Sequence, residues 1–305
     1  IKENVMKVIV TGGAGFIGSA LVDKLIKKKH EVIILDNLST GTEKYLNPKA
    51  RFIECDISDD KQFEYAEYFF NGVDVVFHTA AMPRVQPSID DPIRYHEVNV
   101  LGTLKLLMAC RDNNVRRFVF SSSSSVYGNP KILPALEDHE LNPLSPYALN
   151  KQMGEQYCKI FSELYGLETV ALRYFNVYGD RQPTEGAYCL VMGVFLNQLL
   201  NGKKLTINGD GEQRRDFTYV GDVVDANIKA AYTSLDKFEV FNIGAGSSKS
   251  VNHVADLFDC DRIHRDPVIE PRELQADVTK AKNILDWKPT GDFDSWCKNW
   301  IKKYI

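Results

Sequence analysis

The chain has 305 residues, 44% hydrophobic and 26% charged, which supplies a large core and too little polar bias for extended disorder. A formal net charge of −4 leaves no global positive field for a phosphate backbone and argues against a nucleic-acid partner. Six scattered cysteines without metal-ligand or disulfide spacing, no secretory cleavage site, and no apolar run near the roughly 20 residues that span a bilayer predict a soluble, metal-free, cytoplasmic protein.

A β-branched run at 7–10 opens the pattern. It leads into Thr11-Gly12-Gly13-Ala14-Gly15-Phe16-Ile17-Gly18 and a helical period over 20–29. Further strand-like runs at 32–35, 52–55, 73–77, 118–120 and 169–172 alternate with helical stretches, including 92–113 and 147–165. Alternation of this kind predicts an α/β fold of Rossmann type, a doubly wound parallel sheet with helices on both faces. Beyond Gly179 come a long loop over 180–188, a helix over 190–200, a turn at Asn208-Gly209-Asp210-Gly211 and a returning strand at 240–243. The expected division is a dinucleotide-binding domain of 1–179 that also receives 216–246, and a smaller substrate-binding domain of 180–215 and 247–305.

Between strand and helix, the glycines allow a tight turn, backbone approach to a pyrophosphate and close helix packing. The helix N-terminus adds free N–H groups and a positive dipole end. Asp36 ends the second strand, where an acid takes both hydroxyls of an adenosine ribose. No arginine follows in Asn37-Leu38-Ser39-Thr40, and the acid repels a 2′-phosphate, so NAD is favoured over NADP. A cap or turn role is the plainer alternative for Asp36. Asp56 and Ile57 border the adenine or form a plain turn.

Tyr147 and Lys151 stand four residues apart behind Pro146, on one face of a helix. A nearby ammonium and a nicotinamide cation both favour phenolate, which makes Tyr147 the candidate base for a hydroxyl proton. Alone, the pair also fits a packed aromatic beside a surface lysine. The serine run Ser121-Ser122-Ser123-Ser124-Ser125 shifts that balance: it follows a strand, at the sheet edge where ligands bind in open α/β folds.

The glycine loop, Asn99, the serines before Val126-Tyr127-Gly128, the Tyr147–Lys151 pair and Arg173-Tyr174-Phe175-Asn176-Val177-Tyr178-Gly179 together resemble the extended short-chain dehydrogenase/reductase family. The resemblance spans the chain and is strongest to the UDP-sugar 4-epimerases. It implies Ser123, four before Tyr127, as the catalytic hydroxyl beside Tyr147 and Lys151. It implies that NAD is held by the glycine loop with Asp36, Asn37, Ser39, Thr40, Asp56, Ile57, Thr79, Ala80, Ala81, Asn99, Ser121 and Tyr174. Arg84, Asn176, Leu190, Ile207, Arg215 and Arg272 are implied at the UDP-sugar, arginine suiting a diphosphate through its bidentate fork. His78 flanks the pyrophosphate on this basis or is a satisfied structural histidine. The helices at 92–113 and 147–165 carry surplus apolar positions, and the resemblance implies a homodimer through a four-helix bundle.

Three activities compete. In a 4-epimerase, Tyr147 takes the 4-hydroxyl proton while hydride leaves C4 for NAD, and the 4-keto sugar receives the hydride back on its other face. Dehydratases and decarboxylases of the family carry an acid in the loop before the Tyr-Gly pair, where this chain has Ser123-Ser124-Ser125. A non-catalytic NAD-binding module has no need of Ser123, Tyr147 and Lys151 together. The expectation is a 4-epimerase of UDP-glucose and UDP-galactose or of their N-acetylhexosamine counterparts. UDP-glucuronate ranks behind them, because no cation is assigned to a C6 carboxylate.

Overall fold

The first β-branched run forms β1 (Lys7–Thr11), buried on both faces from Val8 onward as a central parallel strand must be. The computed structural model describes residues 5–184, 189–268 and 271–305. In it β1 is joined by β2 (Glu31–Asp36), β3 (Arg51–Glu54), β4 (Val75–His78), β5 (Arg117–Ser123), β6 (Glu168–Tyr174) and a closing strand, Phe238–Ile243. All neighbours are parallel, in the order closing strand–β6–β5–β4–β1–β2–β3. The chain winds outward from β1 in one direction and then from β4 in the other, so a ligand crevice opens where β1 and β4 end. The α/β doubly wound architecture is therefore present.

One core lies on each face of this sheet. Helix α1 (Phe16–Lys27) buries Leu21, Val22 and Leu25 over Val8 and Val10, and the helix Val220–Tyr232 joins the same core. The opposite core takes Phe63 and Ala66 of α2 (Asp60–Glu67). After α3 (Val85–Asp90) and α4 (Pro92–His96), a π-helical turn over Glu97–Leu101 leads into α5 (Gly102–Asp112), which adds Leu106 and Leu107. The helix expected over 92–113 is thus interrupted, and Asn99 faces inward from the widened turn. Helix α6 (Pro146–Tyr165) starts at Ser145, whose Oγ accepts from Ala148 N at 3.2 Å, and ends at Gly166 with φ +72.

The serine run departs from the expected loop. Ser121, Ser122 and Ser123 pair with Leu172, Arg173 and Tyr174, because β6 is long enough to extend the ladder past Phe120. A third core, around Met192, Phe195, Leu205, Ile207, Phe293 and Trp300, is built by the helices Val191–Leu200 and Phe293–Lys302 with the strand Leu205–Asn208. Residues 185–188 of the expected long loop lie outside the described residues. Among the described residues, no helix is long and apolar enough to cross a membrane.

Candidate active site

Gly12 turns the chain at φ +71, and its N–H donates to Leu35 O at 2.8 Å. A Cβ there would stand 2.6 Å from Ala80 N, and one at Gly18 would stand 2.1 Å from Gly12 O. Loop, helix and β4 edge therefore pack backbone on backbone, as a pyrophosphate cradle requires. Gly15 precedes α1 without a side-chain cap, which leaves first-turn N–H groups for an anion, with Phe16 and Ile17 half-buried beside them. Asp36 Oδ2 accepts from Ala14 N at 2.9 Å and Oδ1 from Leu38 N at 2.8 Å. Burial raises its carboxyl against these two bonds. One carboxylate thus braces the turn and keeps a lone pair on each oxygen, so the turn role does not preclude a contact to ribose. These features fit NAD.

Past the end of β3, Asp56 accepts from Ser58 Oγ at 2.5 Å, Arg94 Nη2 at 2.6 Å and Asn37 Nδ2 at 3.1 Å. Burial opposes its charge, yet these donors hold it at about 2. Asn37 in turn accepts from Ser39 N at 3.0 Å, and Thr40 is exposed next to it. Ile57 buries its side chain in the core against Gly102, which leaves its backbone as the part open to a ligand. Thr79 Oγ1 donates to Thr11 O at 2.6 Å, and Thr79, Ala80 and Ala81 are half-buried at the cleft. His78 bonds Thr11 Oγ1 at 2.7 Å and Thr103 Oγ1 at 2.8 Å, and burial, then Lys151, keeps the ring neutral. It is a satisfied structural histidine. Asn99 accepts from Met82 N at 2.8 Å and donates to Met82 O at 2.9 Å, which shapes the 80–84 loop and leaves one lone pair and one N–H of the amide for a ligand.

At the end of β5, alternation sends the serines to different partners. Ser121 Oγ shares a 3.0 Å hydrogen bond with the Tyr174 hydroxyl, which Asn227 Nδ2 also reaches at 2.7 Å. Ser122 Oγ donates to Glu155 at 2.5 Å. Ser123 Oγ accepts from Ser125 N at 3.2 Å, and Ser123 favours the ionised form of Tyr147. Ser124 turns away into a buried 3-10 turn. Lys151 Nζ donates to Ser121 O at 2.7 Å and lies 5.0 Å above the Phe120 ring. Burial lowers Lys151 to about 8, with Glu155 pulling the other way. Tyr147 is raised by burial, while Ser123 and the charge of Arg84 lower it.

The model of the NAD dependent epimerase/dehydratase family matches residues 8–244, from β1 through the closing strand. The chain belongs to this family. A Methanocaldococcus jannaschii relative is 44% identical, over 97% of this chain and 98% of its own. The UDP-glucose 4-epimerase of Thermotoga maritima, solved with UDP-glucose, superposes with a TM-score of 0.93 at 38% identity, covering 98% of both chains. The UDP-N-acetylglucosamine 4-epimerase of Methanobrevibacter ruminantium, in complex with UDP-N-acetylmuramic acid, gives 0.91 at 38% identity and 99% of both. As in other epimerase/dehydratase proteins, the cofactor is NAD.

The residues implied at the family's sugar nucleotide are more dispersed. Asn176 is half-buried and donates to Asp216 O at 3.3 Å, and Leu190 sits just ahead of the helix Val191–Leu200. Ile207 is a correction: it is fully buried in the third core, and strand alternation leaves Thr206 and Asn208 on the open face. Arg215 is half-buried with Nη1 on Arg214 O at 2.8 Å. Arg272 is exposed and makes a bidentate pair with Asp210 at 2.7 and 2.9 Å, so a diphosphate must share it or displace Asp210.

Sequence reasoning missed the polar layer beneath the site. Arg173 forks onto Glu155 at 2.9 and 2.8 Å, and its Nη1 donates to the Tyr127 hydroxyl at 2.7 Å, which donates to Asn242 Oδ1 at 2.7 Å. The available signal was Glu155 itself, four residues past Lys151 and eight past Tyr147 on one face of α6.

Proposed function

We propose that this protein is an NAD-dependent 4-epimerase of a UDP-hexose, converting UDP-glucose to UDP-galactose or UDP-N-acetylglucosamine to UDP-N-acetylgalactosamine. The observation that carries it is the convergence of Ser123, at the end of β5, and Tyr147, at the start of α6, with Lys151 one turn along the same helix and bonded to the Ser121 carbonyl. Bound NAD supplies the hydride acceptor and donor for C4. Tyr147 removes the 4-hydroxyl proton and returns it after the sugar has turned. Ser123 holds that oxygen on the Tyr147 side, and Lys151, anchored on the Ser121 carbonyl, supplies positive charge to the same corner. Arg215 and Arg272 receive the diphosphate, which places the nucleotide against the lobe of 180–215 and 247–305. The segment Ser123-Ser124-Ser125 brings no carboxylate to act beyond C4, which favours epimerisation over elimination or decarboxylation. The six cysteines are free thiols, in keeping with a reducing cytoplasm.

The test is a substrate panel. The holoenzyme is incubated with UDP-glucose, UDP-N-acetylglucosamine and UDP-glucuronate, and products are resolved by NMR. Inversion at C4, with kcat/KM higher for a neutral sugar than for the glucuronate, supports the reading. Products short of water or carbon dioxide contradict it. Tyr147→Phe is expected to keep the fold and NAD binding while turnover falls by about 10²-fold or more.

A further inference from the structure

We propose that Ser122 is a positioning residue: its hydroxyl, through Glu155, fixes the register of α6 on the end of β5 and so keeps Lys151 and Ser123 in place, a role that rests on the 4-epimerase reading. Alternation along β5 puts Phe120 and Ser122 on the face that α6 covers. Gly154 lies so close to Phe120 that a Cβ would stand 2.4 Å from the ring. Lys151 Nζ donates to Ser121 O at 2.7 Å, and Ser122 Oγ donates to Glu155 Oε1 at 2.5 Å. Three consecutive strand residues thus meet one short stretch of helix. Apolar contact is non-directional and lets a helix slide, whereas a hydrogen bond to a charged group has a defined geometry.

Beyond Phe120 the strand depends on such a tie. The β4 ladder stops at His78, opposite Phe120, so among the described residues Ser121, Ser122 and Ser123 are laddered on β6 alone. Glu155 is held in turn by Arg173, the register partner of Ser122 on β6, which forks onto it at 2.9 and 2.8 Å. Arg173 also donates to the Tyr127 hydroxyl at 2.7 Å and to Glu137 O at 2.9 Å. Ser122, Glu155 and Arg173 are 3%, 2% and 3% exposed. A buried ion pair is often no more stabilising than apolar side chains of similar volume, so what this one adds is a single arrangement of helix on strand. The Ser122 hydroxyl is buried and committed to the carboxylate, and it acts through its neighbours Lys151 and Ser123.

The test compares Ser122→Ala and Ser122→Thr holoenzymes with Thr169→Val as the control. Thr169 is fully buried and also ties α6 to the sheet, its Oγ1 donating to Cys158 O at 2.8 Å, but about two turns beyond Lys151. In Ser122→Ala, kcat falls about tenfold or more, while the KM for the UDP-sugar and the NAD content stay within about twofold of wild type. Ser122→Thr, which keeps the hydroxyl, restores most of kcat. Thr169→Val lowers the urea midpoint as Ser122→Ala does and leaves kcat unchanged. A crystal structure of Ser122→Ala shows Lys151 Nζ moved off the Ser121 carbonyl. Wild-type kcat in Ser122→Ala with that bond intact, or an equal loss of kcat in Thr169→Val, overturns the proposal. A wild-type protein inactive on every UDP-sugar removes the epimerase reading, whereas the Lys151–Ser121 geometry in the Ser122→Ala structure still decides for or against Ser122.

Discussion

Glu155 lies under Lys151 with both carboxylate oxygens on Arg173 and a third bond from Ser122. Burial alone drives Lys151 down, and this carboxylate opposes it, so the ammonium titrates at about 8. Glu155→Gln removes the opposing charge and leaves Arg173 uncompensated; both changes lower Lys151 further. The expected outcome is an alkaline limb of kcat that begins at lower pH than in the wild type, measured in a pH–rate profile. Breaking a buried pair on one side also costs about 3–5 kcal/mol, which urea denaturation reads. Tyr147 and Lys151 were legible because their spacing is local, and Glu155 was there to be found on the same face. The loop carrying Arg84 was not: its path depends on a positive φ and on clamps from Tyr95 and Asn99. The five consecutive serines carry no spacing that separates them, and only the β5–β6 register sends Ser122 to Glu155 and Ser123 to Tyr147.

At the level of elements, the glycine loop shows how close backbone contact carries a function. Gly18→Ala sets a methyl 2.1 Å from Gly12 O, which forces α1 away from the loop. We expect a loss of about 1–3 kcal/mol in stability and NAD content well below wild type, from thermal denaturation and absorbance of the purified protein. An alanine variant with full NAD occupancy contradicts the cradle. The strands of the main sheet were legible from β-branched runs, since a strand buried on both faces must be almost wholly apolar. Their ends were not, as β5 shows by running on through Ser123. Helix α2 escaped the pattern because it buries only Phe63 and Ala66.

For the whole molecule, the doubly wound order followed from the alternation of elements, whereas the third core joins Leu205, Phe293 and Trp300 from distant, short segments that no local period announces. Exposed apolar side chains at Leu101, Met108, Leu149, Ile160 and Leu164 lie on α5, α6 and the turn before α5, and we propose that they pair two copies. Sedimentation is expected to show a dimer that Ile160→Glu converts to monomer; a wild-type monomer contradicts the pairing. The most direct test of the account follows the hydrogen on C4. Holoenzyme given UDP-glucose deuterated at C4, or its N-acetylated counterpart, is expected to yield the C4-inverted sugar with the deuterium still on C4, as read by NMR. No inversion, or inversion with the label lost to solvent, contradicts a transient oxidation in which Tyr147 handles the proton and the hydride returns to the carbon it left.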